Sequence, residues 1–149
     1  MVALAGGDVG QGYRTFDHTG DLGLEVWAES PELLFGLAAE AVMAQVAVVP
    51  PGAERDSLAV DLELEADDAE DLLVHWLNTA LLEADIKRTI WTRAEILRWS
   101  PRSLVASLLG PRFDPRRHTA LREVKAVSHH GLELELEPTA CRCRLVLDL

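Results

Sequence analysis

Residues 16–23, Phe-Asp-His-Thr-Gly-Asp-Leu-Gly, place Asp17, His18 and Asp21 around a Thr-Gly step, directly before an apolar run. Aspartates in a glycine turn accept backbone N–H bonds, and that accounts for Asp17 and Asp21 without any ligand. The same carboxylates could begin a site for a hard cation, which prefers several oxygen ligands at once. They could not complete one. His18 has the chemistry of a proton shuttle or of a group that orients an aspartate. No serine or cysteine nucleophile is paired with it, so triad chemistry has no support.

The other unusual acidic pair is at the far end. Asp148 is followed by Leu149, whose carboxylate ends the sequence. Two negative groups side by side repel unless something neutralises them. Leu145 and Leu147 argue that a strand packs almost to that end. If the end lies near Asp21, three oxygen-bearing groups converge. Lys125 stands in Val-Lys-Ala-Val-Ser-His-His, with a phosphate or a carboxylate as its natural partner and a solvated strand position as the plain alternative. His118, His129 and His130 match no zinc spacing and read as exposed polar positions. The chain has no P-loop, GxGxxG, HExxH or twelve-residue calcium loop, so any metal site must be assembled from distant residues.

The elements that would position these groups are legible from periodicity. Tyr13–Phe16 reads as a short strand, and Leu22, Leu24 and Val26 alternate as in a half-buried one. Ser30-Pro31 is a helix start, followed by a stripe of Leu34, Leu37, Ala38, Ala41 and Val42. Leu58 to Glu65 alternates apolar and mostly charged, as an antiparallel strand with a wet face does. Asp67 and Glu70 suggest a capping box for a second helix that turns Leu72, Leu73, Trp76, Leu77, Ala80 and Leu81 inward. Two strands follow, one through Ile90, Ala94, Ile96 and Trp99 and one over 104–109. Gly110-Pro111 is expected to break the chain, with a polar loop over 112–118. Three strands are expected near 120–129, 131–137 and 141–148, the last with Cys141, Cys143, Leu145 and Leu147 on one face. Roughly seven strands and two main helices predict an α+β fold. It is a compact two-layer α/β sandwich with a mixed or mainly antiparallel sheet. Residues 1–12 read as a flexible N-terminal segment and 13–149 as a single domain.

Composition narrows the function classes. The chain of 149 residues carries 14 Lys+Arg against 25 Asp+Glu, a net charge of −11. That sign repels phosphate backbones, disfavours a bare RNA- or DNA-binding module, and suits a basic protein partner or a cation. The two cysteines read as buried small side chains in a reducing compartment rather than a disulfide scaffold. Nothing in the sequence resembles a signal peptide or the roughly 20 apolar residues of a membrane span. A cytoplasmic protein with no membrane and no DNA partner is the expectation.

Four segments in series carry a resemblance. Tyr13–Ser30 (YRTFDHTGDLGLEVWAES), residues 71–78 (DLLVHWLN), residues 113–135 (FDPRRHTALREVKAVSHHGLELE) and the terminal LVLDL resemble, in order and spacing, the archease family. Gly20 stands where that family commonly has alanine, and Ser128-His129 replaces a usual Thr-Tyr. The resemblance implies a compact α/β sandwich and a non-catalytic role as protein cofactor of an RtcB-type RNA ligase. That ligase joins RNA ends bearing a 2′,3′-cyclic phosphate or 3′-phosphate to a 5′-hydroxyl, using GTP and manganese. The cofactor would promote its guanylylation and multiple turnover in tRNA splicing or RNA repair, touching RNA only through the ligase. The family's metal site, often assigned to calcium, maps onto Asp21, Asp148 and Leu149. Asp17 matches an acidic position that is less firmly a ligand. Lys125 matches a lysine implicated in ligase activation, with His18 in the same neighbourhood. Two other readings stay open: a stand-alone metal-dependent phosphoesterase, and a metal-independent structural or chaperone-like binding protein.

Overall fold

The computed structural model describes residues 10–53 and 57–149. Among them are two long helices and nine strands, two of which are only two residues long. Strands β1 (Gly12–His18) and β2 (Asp21–Ala28) form a hairpin, and α1 (Pro31–Val46) follows. Next come β3 (Ala47–Val48), β4 (Ser57–Glu65), α2 (Ala69–Lys87), β5 (Arg93–Ser100) and β6 (Ser103–Pro111). The chain ends with β7 (Thr119–Ala120), β8 (Ala126–Leu136) and β9 (Cys141–Asp148). One sheet has the order β1-β2-β9-β8, a second β4-β6-β5, and β3 pairs with β7. Every strand pairing is antiparallel. The result is the expected α+β sandwich with two main helices.

Both helices touch both larger sheets: α1 lies against β2 and β5, and α2 against β8 and β4. Alternation makes this possible. Leu24 and Val26 of β2, Leu104, Ala106 and Leu108 of β6, and Cys143, Leu145 and Leu147 of β9 all reach one core with Phe35, Leu72, Trp76 and Leu77. The indoles of the two fully buried tryptophans in that core are satisfied. The Trp76 indole N–H donates to Phe35 C=O at 2.9 Å, and that of Trp91 to Ala80 C=O at 3.1 Å. Such donors would cost about 1–3 kcal/mol each if left unpaired. Cys141 and Cys143 are free and buried. Burial pushes the Cys143 thiol up to about 12, which keeps it a small apolar side chain at neutral pH. No helix among the described residues is long and apolar enough to cross a membrane.

Ser30 caps α1 as expected, accepting from Leu33 N–H at 3.2 Å. Elsewhere the structure corrects the sequence reading. The cap of α2 is Asp68, not Asp67: Asp68 takes the extended conformation and its carboxylate accepts from Asp71 N–H at 2.8 Å. Gly110-Pro111 does not break the chain, since β6 runs through Pro111. A Cβ at position 110 would collide with Ile90 C=O, so glycine lets that segment pass. Pro111, which has no N–H to give, offers its C=O to Ile90 N–H at 3.0 Å. The strands expected near 120–129 and 131–137 are one strand, β8, because both halves pair with β9 across a register shift between Ser128 and Glu133. Residues 121–125 lie outside any strand. His118 is not exposed. At 5% exposure its Nδ1 accepts from Asp114 N–H at 2.9 Å, which assigns the proton to Nε2 and makes that atom the donor to Ala53 C=O at 2.8 Å. β1 begins at Gly12, the last residue of the segment assigned to a flexible N-terminus, and residues 1–9 of that segment lie outside the described residues.

Candidate functional site at one end of the four-stranded sheet

Three chain segments meet at one end of the β1-β2-β9-β8 sheet. The first is the β1–β2 turn. His18 pairs with Asp21, leaving Thr19-Gly20 as a two-residue loop, and Gly20 has φ 74 with nothing within 4 Å of a Cβ position. Glycine is therefore there for its backbone, since a positive φ strains any side chain. The second segment is the end of β9. Leu22 pairs with Leu147, so one step outward Asp21 comes alongside Asp148. The third is the start of β8. Ala126 pairs with Asp148, and Lys125 N–H donates to Asp148 C=O at 2.8 Å.

The pleat then sorts the side chains. Leu147 is fully buried and Leu22 packs against the core, so Asp21 and Asp148, their alternates, project from the opposite face of the sheet. His18 shares that outer face with Asp21. Its Nδ1 lies 3.9 Å from Asp21 Oδ2, beyond hydrogen-bonding distance, and is shielded from solvent without a hydrogen-bond partner. Asp17 pairs with Leu22 and so faces the other way. Lys125 is exposed and Leu149 is 42% exposed. Neither the Asp148 carboxylate nor the Lys125 ammonium makes an ion pair with any described residue. Of the other histidines, His129 reaches Asp71 at 3.2 Å and His130 is exposed.

Among the described residues, no group of three or more His, Cys, Asp and Glu side chains is arranged to hold a metal ion. The oxygen donors at this sheet end are two side-chain carboxylates, joined by whatever Leu149 and the main chain contribute. Carboxylate oxygens without cationic partners are the donor set a hard cation takes.

A family model described as "Archease protein family (MTH1598/TM1083)" matches residues 13–149. This chain belongs to the archease family. The archease of Methanopyrus kandleri is 30% identical over 146 residues, covering 92% of this chain and 99% of that protein. That of Pyrococcus abyssi is 27% identical over 129 residues, covering 85% and 89%. Among solved structures, the solution structure of Methanobacterium thermoautotrophicum protein 1598 matches with a TM-score of 0.71 at 24% identity, over 92% of this chain and 98% of that one. An archease from Thermotoga maritima matches with a TM-score of 0.64 at 21% identity, over 90% and 94%. At those identities the two structures speak to the fold.

In this archease the outer face leading to the site is braced by charge. Glu25 of β2, with its side chain 9% exposed, holds Arg14 of β1 at 2.7 Å and Arg142 of β9 at 3.6 Å. Arg142 also binds Glu135 of β8 at 3.0 Å, so one ladder crosses all four strands. Arg144 stacks 4.0 Å over the Phe16 ring. Sequence reasoning missed a second support, Asn78. Its amide donates to Val127 C=O at 3.1 Å and accepts from Val127 N–H at 2.8 Å. One α2 side chain thus satisfies both backbone groups of a residue two places from Lys125. An amide at the polar margin of an inward-facing helical stripe is the signal that could have pointed to it.

Proposed function

We propose that this archease is a non-catalytic activator of an RtcB-type RNA ligase, promoting ligase guanylylation and multiple turnover in tRNA splicing or RNA repair. Family membership supports the role. One observation carries its placement: the hydrogen bond from Lys125 N–H to Asp148 C=O, beside a register that sets Asp21 against Asp148. The main chain of Asp21, Asp148 and Lys125 is thereby held together at one end of the four-stranded sheet, which supports reading the three as one docking feature. Asp21 and Asp148, with Leu149, would hold calcium or another divalent cation, which would supply neutralisation of the clustered negative charge. Lys125 then presents an unpaired ammonium to the ligase centre that uses GTP and manganese. The acidic surface suits approach to a basic, RNA-handling enzyme. The working compartment is the cytoplasm.

The test combines the protein with its cognate ligase, GTP and manganese, and follows guanylylation and multiple-turnover joining. Wild type should raise both. Asp21→Ala, Asp148→Ala and Lys125→Ala should each cut the stimulation roughly tenfold or more, as loss of a charged partner in an interface does. Their folding stability should move by only about 0.5 kcal/mol, as for partly exposed surface positions. A wild-type protein that leaves guanylylation unchanged would sink the function. Full stimulation by all three variants would sink the site while leaving the function standing.

A further inference from the structure

The net charge of −11 conceals an uneven distribution. Lys87 in the last turn of α2, Arg88 at its C-cap and Arg112 just past β6 line one hollow of about 640 Å³, with Phe113, Ile86 and Leu58. The next loop sets Arg116 and Arg117 around a second hollow of about 340 Å³, and Arg112 and Phe113 line both. Five of the 14 Lys and Arg residues therefore follow one continuous track. Its two chain segments are locked together. Phe113 N–H donates to Arg88 C=O at 2.8 Å, and Thr89 bridges to Arg112.

The acids within the track are few and engaged. Glu83 pairs with Lys87 at 2.9 Å, and Asp114 with Arg116 at 3.4 Å and Arg117 at 3.8 Å. Arg88 and Arg112 are exposed and make no ion pair with any described residue. The helix dipole accounts for cations at 87 and 88. It does not account for Arg112, Arg116 and Arg117, which belong to another segment. The backbone adds an independent observation: among the described residues Arg88 alone combines a side chain with a positive φ, at φ 51 and ψ 46. A helix cap in that conformation favours glycine. Here an exposed arginine occupies it instead.

The chemistry that fits is a run of phosphates. Guanidinium forks match phosphate oxygens, and two hollows sharing an aromatic wall suit a strand better than a single anion. A third hollow, of about 390 Å³, joins Arg88 and Phe113 to Asp85, Glu123 and Val124, and its two exposed acids mark the end of the cationic track. Charges farther away than about 8 Å are largely screened at physiological salt, so local sign decides contact even in an acidic protein.

We propose that this track binds the phosphodiester backbone of single-stranded RNA while the sheet end at Asp21, Asp148 and Lys125 faces the ligase. The proposal rests on the ligase-activator reading, and it replaces the expectation that RNA is touched only through the ligase. The test uses a fluorescent oligoribonucleotide ending in a 2′,3′-cyclic phosphate, with the ligase alone, with wild type, and with an Arg88→Gly/Arg112→Ala double variant. Glycine suits the cap at 88 and position 112 is exposed, so the variant keeps its fold. Wild type should tighten RNA binding by the complex and steepen its salt dependence. The double variant should lose that gain, and its log–log salt slope should be shallower by about 1.4, or about 0.7 per lost phosphate contact on a single strand. Guanylylation measured without RNA should be the same for both proteins. Equal salt slopes with normal guanylylation would overturn the RNA track alone. A variant that no longer binds the ligase without RNA would also overturn it, by showing the track to be a protein contact. Absent guanylylation with wild type would instead count against the activator reading.

Discussion

Asp17 and Asp21 look equivalent in the sequence, two aspartates flanking one turn, yet parity separates them. Asp21 pairs with His18 and shares its face, whereas Asp17 pairs with Leu22 and points to the other side. A ligand held by Asp21 and Asp148 therefore has His18 as its neighbour, whose Nδ1 is shielded from solvent without a hydrogen bond. Backbone conformation is just as decisive at Arg88. A non-glycine residue in the left-handed region costs on the order of 1 kcal/mol. Arg88 also supports a cap whose own N–H reaches Ala84 C=O and whose successor Thr89 N–H reaches the same carbonyl at 3.0 Å. Arg88→Gly keeps both bonds and removes the strain. It should stabilise the protein by about 1 kcal/mol, read as a higher urea midpoint with an unchanged slope. A lower midpoint would mean that the arginine side chain contributes more to the fold than its exposed position suggests.

At the level of elements, the site depends on where β8 runs, and β8 is held from the side by α2. Asn78 takes both backbone groups of Val127. Asn78→Ala leaves a partly buried N–H and C=O without partners, and the expected loss is about 1–3 kcal/mol. The loss should be local first. Hydrogen exchange at Val127 and its β8 neighbours should accelerate more than in β2, whose ladder is independent of Asn78. Uniform acceleration would show that Asn78 supports only global stability. This dependence also marks the limit of what periodicity could reveal. Alternation within β2, β4 and β9 and the Ser30-Pro31 start of α1 were legible because each is written in a run of neighbours. The two-residue strands β3 and β7 are too short to carry a period, and the continuity of β8 depends on β9 rather than on its own residues. The Asp21–Asp148 neighbourhood was open to the sequence only as a condition, because a strand's pattern fixes its faces and not its partner.

Across the whole molecule, charge sets two effects of opposite specificity. A net charge of −11 makes the folded state repel itself, so any salt should stabilise it modestly by screening. A cation held by Asp21, Asp148 and Leu149 would stabilise it differently, through linkage, because the unfolded chain does not bring these residues together. A ligand at a hundred times its Kd that binds only the native state adds about 2.7 kcal/mol. For a chain of this size that corresponds to a rise in Tm of roughly 5–10 °C. Calcium titration should therefore raise Tm well beyond what sodium chloride does at matched ionic strength. Asp148→Ala should erase that excess while keeping the response to sodium chloride, since one charge in −11 hardly alters the screening. Asp17→Ala should keep the excess, because that carboxylate faces the other side of the sheet. If calcium and sodium chloride act alike at equal ionic strength, the sheet end is an acidic surface without a cation, and ligase docking must then rest on Lys125 and the uncompensated aspartates.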